Sequence, residues 1–224
     1  MASVDPRAWP VVAVDSHLPA VTADRLAPEA LRRRFLRPPV WQPDRLSDRL
    51  HLAGSSRPAA VLMPIVQHTD GATMLLTCRT AQLKRHSGQV AFPGGRRDET
   101  DASPVSTALR EAQEEVGLDP ARVEIIGRMP DYITGTGFCV TPVVGLIEPG
   151  FDLNPDPDEV ADVFEVPLEF LMNPRHHERR RILSDEGERD FFAMPWRSPQ
   201  TDVDYFIWGA TAAMLRNLYR MLSA

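Results

Sequence analysis

Lysine is almost missing from this chain: of 25 basic residues only Lys84 is lysine, and no block of positive charge occurs. With a net charge of −6, this argues against nucleic acid as a partner, because duplex recognition rests on phosphate neutralisation by clustered Lys and Arg. An anionic small molecule stays admissible if a metal supplies the positive charge. Cysteine is scarce as well. Cys78 and Cys139 each sit in an apolar run without a CxxC partner, which excludes a disulfide framework or zinc site and predicts two buried small hydrophobes. No apolar run approaches the ~20 residues that span a bilayer, and Pro and Asp stand in the first 30 residues where a signal peptide needs an apolar stretch. The expectation is a cytoplasmic protein with no membrane partner.

What is present is an ordinary globular composition, 224 residues with 43% hydrophobic, enough for one good-sized core. Residues 1–57 are rich in Pro, Ala and Arg and carry no alternating strand pattern, so they read as an N-terminal extension that is partly helical. Its one helix is expected in "TADRLAPEALRRRFL", with Thr22 or Asp24 as N-cap and Arg32 to Arg34 on a solvated face. From Pro58 the texture changes to strand-like runs, beginning with "PAAVLMPIVQH" and "ATMLLTCR" around a turn at His68 to Gly71. Further strand candidates are "RVEIIGRM", "FCVTPVVGLIE", "EVADVFEV", "ERRRIL", "RDFFAM" and "DYFIWG". Helices are expected over Pro104 to Val116, after Pro167 and in the terminal "WGATAAMLRNLYRML". Strands mixed with helices predict an α/β sandwich over residues 58–224.

The helix from Pro104 carries the informative charge. Ser103 then Pro104 reads as an N-cap with proline at the first helical position, and Gly117 suits a left-handed stop. At 100° per residue, Val105, Ala108, Leu109, Ala112 and Val116 form an apolar arc. Glu111, Glu114 and Glu115 share an adjacent arc of about 100°. Like charges at this spacing repel by roughly 0.2–0.5 kcal/mol per pair. Gly94-Gly95 just upstream permits close backbone approach, and Mg²⁺ takes oxygen ligands of this kind together with substrate phosphates. Arg110 is placed to pair with one carboxylate and hold its rotamer.

These residues resemble the box of the Nudix hydrolase family, G-x5-E-x7-R-E-U-x-E-E-x-G-U with U a bulky aliphatic. "REAQEEVGL", Arg110 to Leu118, matches it, with Ala112 a small occupant of the first U position. Upstream, Gly95 followed by five residues reaches Asp101 rather than Glu, and eight residues separate it from Arg110. The segment "LLTCRTAQLKRHSGQVAFPGG", Leu75 to Gly95, is similar to the one that precedes the box in the coenzyme A diphosphatase branch, with Thr80 for Ser or Ala and Lys84 for Arg.

The resemblance implies a Nudix α/β/α sandwich with a mixed sheet, and hydrolysis of a small-molecule nucleoside diphosphate derivative. For this branch the substrate would be coenzyme A or a derivative, cut to adenosine 3′,5′-bisphosphate and 4′-phosphopantetheine. It implies Mg²⁺ or Mn²⁺ as cofactor, held by Glu111, Glu114 and Glu115, with the Gly95 carbonyl and a later acid, Glu159, as further contacts. Arg110 joins the three glutamates as the fourth catalytic candidate. Arg79, Lys84, His86 and Arg97 flank the box as candidates for the substrate phosphates. Rival readings are another nucleotide substrate such as ADP-ribose or NADH, and a nucleotide-binding module without chemistry, which would be expected to lose box acids. A homodimer is left open.

Overall fold

A computed structural model describes residues 5–44, 56–80, 88–184 and 187–224. In chain order the elements are β1 Val11–Val14, α1 Ala23–Leu26, α2 Pro28–Leu36, β2 Arg57–His68, β3 Gly71–Arg79, β4 Val90–Ala91, β5 Gly94–Arg96 and α3 Pro104–Val116. They continue with β6 Val123–Arg128, β7 Tyr132–Ile133, β8 Phe138–Ile147, β9 Val160–Pro167, α4 Leu168–Leu171, β10 Glu178–Ser184, β11 Gly187–Arg197, β12 Asp204–Trp208 and α5 Gly209–Ser223. The long runs of β-branched and aromatic residues form strands where the sequence pattern expects them. The N-terminal helix is broken in two. Ala27 precedes a proline and is extended (φ −63°, ψ 147°), because the Pro28 ring disfavours a helical residue before it.

One sheet is mixed. β2 runs parallel to β8 from Arg57↔Phe138 to Val66↔Ile147, while β3, β5, β6, β7 and β9 pair antiparallel with their neighbours. The two-residue period of β2 sends Ala60 and Leu62 to one face and Met63 and Ile65 to the other. The first face packs under α3 with Ala108, Ala112, Val116, Val143 and Ile147. The second meets Leu26, Leu31, Leu215 and Leu218 from α1, α2 and α5. Helices on both faces of a mixed sheet give the α/β sandwich. Each fully buried Leu, Ile or Val stabilises it by about 1.5–3 kcal/mol relative to exposure.

A second sheet, β1-β10-β11-β12, is antiparallel and carries α5 on its inner side, with Phe192, Met194 and Ile207 in the common core. Its edge strand β1 corrects the expectation that the extension holds no strand. Val11 and Ala13 pair with Arg180 and Arg179, and this pairing, invisible in so short a segment, is what makes Val11–Val14 extended. Asp15 and Asp44 then tie the extension to the fully buried Arg216 of α5, at 2.8 and 2.7 Å. Arg32 bridges Glu29 and Glu124, so part of the arginine run fixes α2 to β6 rather than facing water alone. Cys78 and Cys139 are free but half-buried rather than buried. Among the described residues no helix is long and apolar enough to cross a membrane.

Candidate active site

The ends of α3 are set by the residues that predict them. The Ser103 hydroxyl accepts from the Ser106 N–H, Ser106 reciprocates on the Ser103 N–H, and Pro104 opens the first turn. At the other end Gly117 is left-handed (φ 72°), and its N–H reaches back to the carbonyls of Ala112 and Gln113. These caps hold the acidic stretch in one register against β2 and β5.

Two glycines bring β5 against that stretch. A Cβ on Gly94 would lie 2.5 Å from the Ala60 carbonyl oxygen, and one on Gly95 would lie 2.4 Å from Glu111 Oε2. At Gly94 only bare backbone fits, and at Gly95 a Cβ would have to push the Glu111 carboxylate aside. The Gly94 N–H donates to Glu115 Oε2 at 3.0 Å.

The three glutamates do not share one exposure, as the helical arc alone suggests. Glu115 is 3% exposed, Glu111 is partly buried, and Glu114 projects outward with 59% of its side chain exposed. The covering layer is the reason: β5 and the loop before β9 close over the Glu115 side of the helix and leave the Glu114 side open. That loop is pinned by the Asn154 and Asp156 N–H groups on the carbonyls of Val116 and Glu115, and by Thr80 on the carbonyls of Asp158 and Glu159.

Arg110 sits at the centre of the opposite flank. It donates to both oxygens of Asp101 (3.1 and 2.9 Å), to Glu114 Oε2 (2.7 Å), to Glu111 Oε1 (3.0 Å) and to the Arg96 carbonyl. Asp101 is buried and also accepts the Asp98 N–H. Its bonds to Arg110 hold its carboxyl well below the usual carboxylate range. The box position at which Asp replaces Glu is therefore occupied by the group that fixes Arg110, a role its place in the motif hints at but its residue type obscures.

Arg79, at the end of β3, joins Glu115 Oε1 (3.2 Å) and Glu159 Oε2 (3.8 Å), so these three predicted residues come together. Arg97 does not join them. Its Nε and Nη2 donate to the Asp101 carbonyl, which makes it a brace of the loop before α3. Lys84 and His86 lie outside the described residues.

Burial pushes the Glu115 carboxyl up to about 7, against the lowering effects of the Gly94 N–H and Arg79. Burial likewise raises Glu111, an effect that Arg110 only partly offsets, with smaller repulsions from Glu114 and Glu159. Among the described residues no three acidic, His or Cys side chains already form a ready metal cluster; Glu111 and Glu115 are each engaged by an arginine.

A model of the NUDIX domain matches residues 56–186. The chain belongs to the Nudix hydrolase family. An uncharacterised Nudix hydrolase, NudL, of Cronobacter sakazakii is 46% identical over 165 residues, 73% of this chain and 82% of that protein. The peroxisomal coenzyme A diphosphatase NUDT7 of Mus musculus is 39% identical over 162 residues, 71% of this chain and 68% of that protein.

Nudix hydrolases act on nucleotide derivatives and generally use divalent ions such as Mg²⁺ or Mn²⁺. The Nudix helix of this chain fits such an ion chemically. Its donor set is all oxygen, as hard cations require. Two of its carboxylates are desolvated beyond what the nearby guanidiniums compensate, and Gly95 leaves against Glu111 a space that any Cβ would fill.

Proposed function

We propose that the chain hydrolyses the diphosphate of coenzyme A or a derivative, releasing adenosine 3′,5′-bisphosphate and 4′-phosphopantetheine or its acyl form. The observation that carries the reading is the junction of two segments. Arg79, from the stretch resembling the coenzyme A branch, makes an ion pair with Glu115 of the Nudix helix. The activity for which the mouse relative is named supports the same substrate.

In this reading Glu111 and Glu115 hold Mg²⁺ or Mn²⁺, with Glu114 as a third ligand or a water-positioning group and with the Gly95 carbonyl and Glu159 as further contacts. The ions would polarise the diphosphate, activate water and stabilise the leaving oxygen. The chain's own residues orient and neutralise. Arg110, locked by Asp101, keeps Glu111 and Glu114 in fixed rotamers, a supporting role of the kind that tunes metal sites. The Gly94 N–H fixes one oxygen of Glu115 and leaves the other directed at Arg79. Arg79, Lys84 and His86 supply cationic groups for the phosphates. Arg97 contributes through the loop it braces.

The test is a panel of CoA, acetyl-CoA, ADP-ribose and NADH with Mg²⁺ or Mn²⁺, with products identified by mass. Highest kcat/KM on a CoA compound, with cleavage inside the diphosphate, is expected. Preference for ADP-ribose or NADH would contradict the reading.

A further inference from the structure

The two arginines of the site are held in different ways. Arg110 is anchored from outside the glutamate set, by buried Asp101 and the Arg96 carbonyl, through contacts of 2.9–3.2 Å. The Arg79 guanidinium is held by Glu115 and Glu159, at 3.2 and 3.8 Å, which are themselves the proposed cation ligands. Both contacts are longer than the 2.7–2.9 Å usual for charge-assisted N–H···O bonds. The Arg79 backbone, by contrast, is fixed: its N–H donates to the Gln89 carbonyl and its own carbonyl accepts from Gly88. A bulge between Cys78 and Arg79 marks where β3 departs from regular pairing with β9. A quarter of the side chain reaches solvent. The backbone is therefore set while the head group has a loose grip and a way out.

Glu115 gives that grip a direction. At 3% exposure it cannot exchange Arg79 for water without leaving a buried carboxylate with no cation and only the Gly94 N–H as partner, which is unfavourable. Exchange for another cation avoids that cost, and a divalent ion brings twice the charge in a smaller volume.

Resting on the metal-site reading above, we infer that Arg79 is a resident counter-ion. Its guanidinium neutralises Glu115 and Glu159 until a divalent ion takes the Glu115 carboxylate, and the displaced guanidinium then becomes available to the substrate diphosphate. Metal entry and the arming of a phosphate-binding arginine are one event.

The experiment is calorimetric titration of the full chain with Mn²⁺, without nucleotide, on wild type, Arg79→Gln, Arg79→Lys, Arg97→Gln and Glu115→Gln. Removing a competitor that occupies the carboxylate nine-tenths of the time tightens binding about tenfold. Arg79→Gln is therefore expected to bind Mn²⁺ about tenfold tighter than wild type, with Arg79→Lys close to wild type. Arg97→Gln changes the net charge equally without touching Glu115 and should shift the affinity far less. Glu115→Gln should bind more weakly than all of these. A wild type that takes up no Mn²⁺, or a Glu115→Gln variant with undiminished affinity, would remove the metal site itself. Weakened binding by Glu115→Gln together with no tightening by Arg79→Gln, or equal tightening by Arg97→Gln, would leave the metal site standing and overturn the exchange. In wild type, Mg²⁺ should also shift the Arg79 side-chain NMR signal. A signal unmoved at saturating Mg²⁺ overturns the exchange without any variant.

Discussion

Two arginine-centred clusters, one beneath α5 and one beside α3, are built from the same kinds of residue and balance their charge in opposite directions. In the first, two carboxylates, Asp15 and Asp44, meet three guanidiniums, Arg216 itself with Arg179 and Arg220, which approach those acids at 3.7 and 3.9 Å. His177 completes the cluster as a neutral ring, its Nε2–H donating to the Leu171 carbonyl and its Nδ1 accepting from Arg216. Around Arg110 and Arg79 stand five carboxylates, Asp101, Glu111, Glu114, Glu115 and Glu159, against those two guanidiniums. In the first cluster every carboxylate is more than compensated, and the cluster joins the chain's ends. The second carries an uncompensated negative surplus beside a glycine-lined strand, with one carboxyl raised to about 7. A surplus of carboxylates in a partly closed place, rather than charge itself, separates the site from the strut.

Either cluster can be broken by a single substitution, and the largest effect is expected at α3. Glu111→Gln and Glu115→Gln keep shape and helix propensity, and each should lower kcat on CoA by about 10²–10⁴, by analogy with other losses of electrostatic stabilisation. Turnover within a few fold of wild type in both would return the acidic face to the surface. Arg216→Ala should do the reverse. Removing one partner from a buried ion cluster costs roughly 3–5 kcal/mol, so urea unfolding should show a large loss of stability while kcat per folded molecule is kept.

Much of this contrast is legible in the amino-acid sequence alone. Ser103-Pro104 and Gly117 mark both ends of α3, and the spacing of Glu111, Glu114 and Glu115 puts them on one side. The spacing does not say which of the three is covered, because that depends on β5 and the loop before β9, whose positions are set by pairing with β2 and by Thr80. The short strands β1, β4, β5 and β7 escape the sequence pattern for a related reason. "GGR" at β5 has no strand propensity and is extended because Ala59 to Val61 pair with it. Arg97 and Arg79 look alike in sequence; only the loop geometry turns one to a backbone carbonyl and the other to Glu115. The Arg216 cluster leaves no trace in the sequence pattern, since its acids Asp15 and Asp44 come from the opposite end of the chain.

Smaller changes sharpen the difference. Gly95→Ala would set a Cβ against the Glu111 carboxylate, the movable end of a side chain. Stability should change little while kcat falls by up to about 10², the effect of displacing a reacting group by about 1 Å. The Arg216 cluster instead carries a pH signature. Burial lowers the His177 pKa to about 4 from 6.5. The unfolded chain therefore takes up this proton at a higher pH than the folded one. The contribution is unchanged above 6.5, is lost progressively as pH falls toward 4, and is constant below, at about 1.4 kcal/mol for each unit crossed. His177→Gln should remove this loss of stability toward low pH and leave the opposite contribution of Glu115, whose raised carboxyl gains stability as pH falls below about 7. An unchanged slope would show that His177 does not set it.

The claim that the α3 surplus exists to hold divalent cations is tested most directly by melting temperature with and without Mg²⁺ or Mn²⁺. Binding to the native state must raise Tm. Wild type should gain with metal, and Glu111→Gln and Glu115→Gln should gain less. Without metal the two variants should melt no lower than wild type, because carboxylate repulsion is relieved. Equal metal-induced shifts in all three proteins, or none in any, would contradict the account.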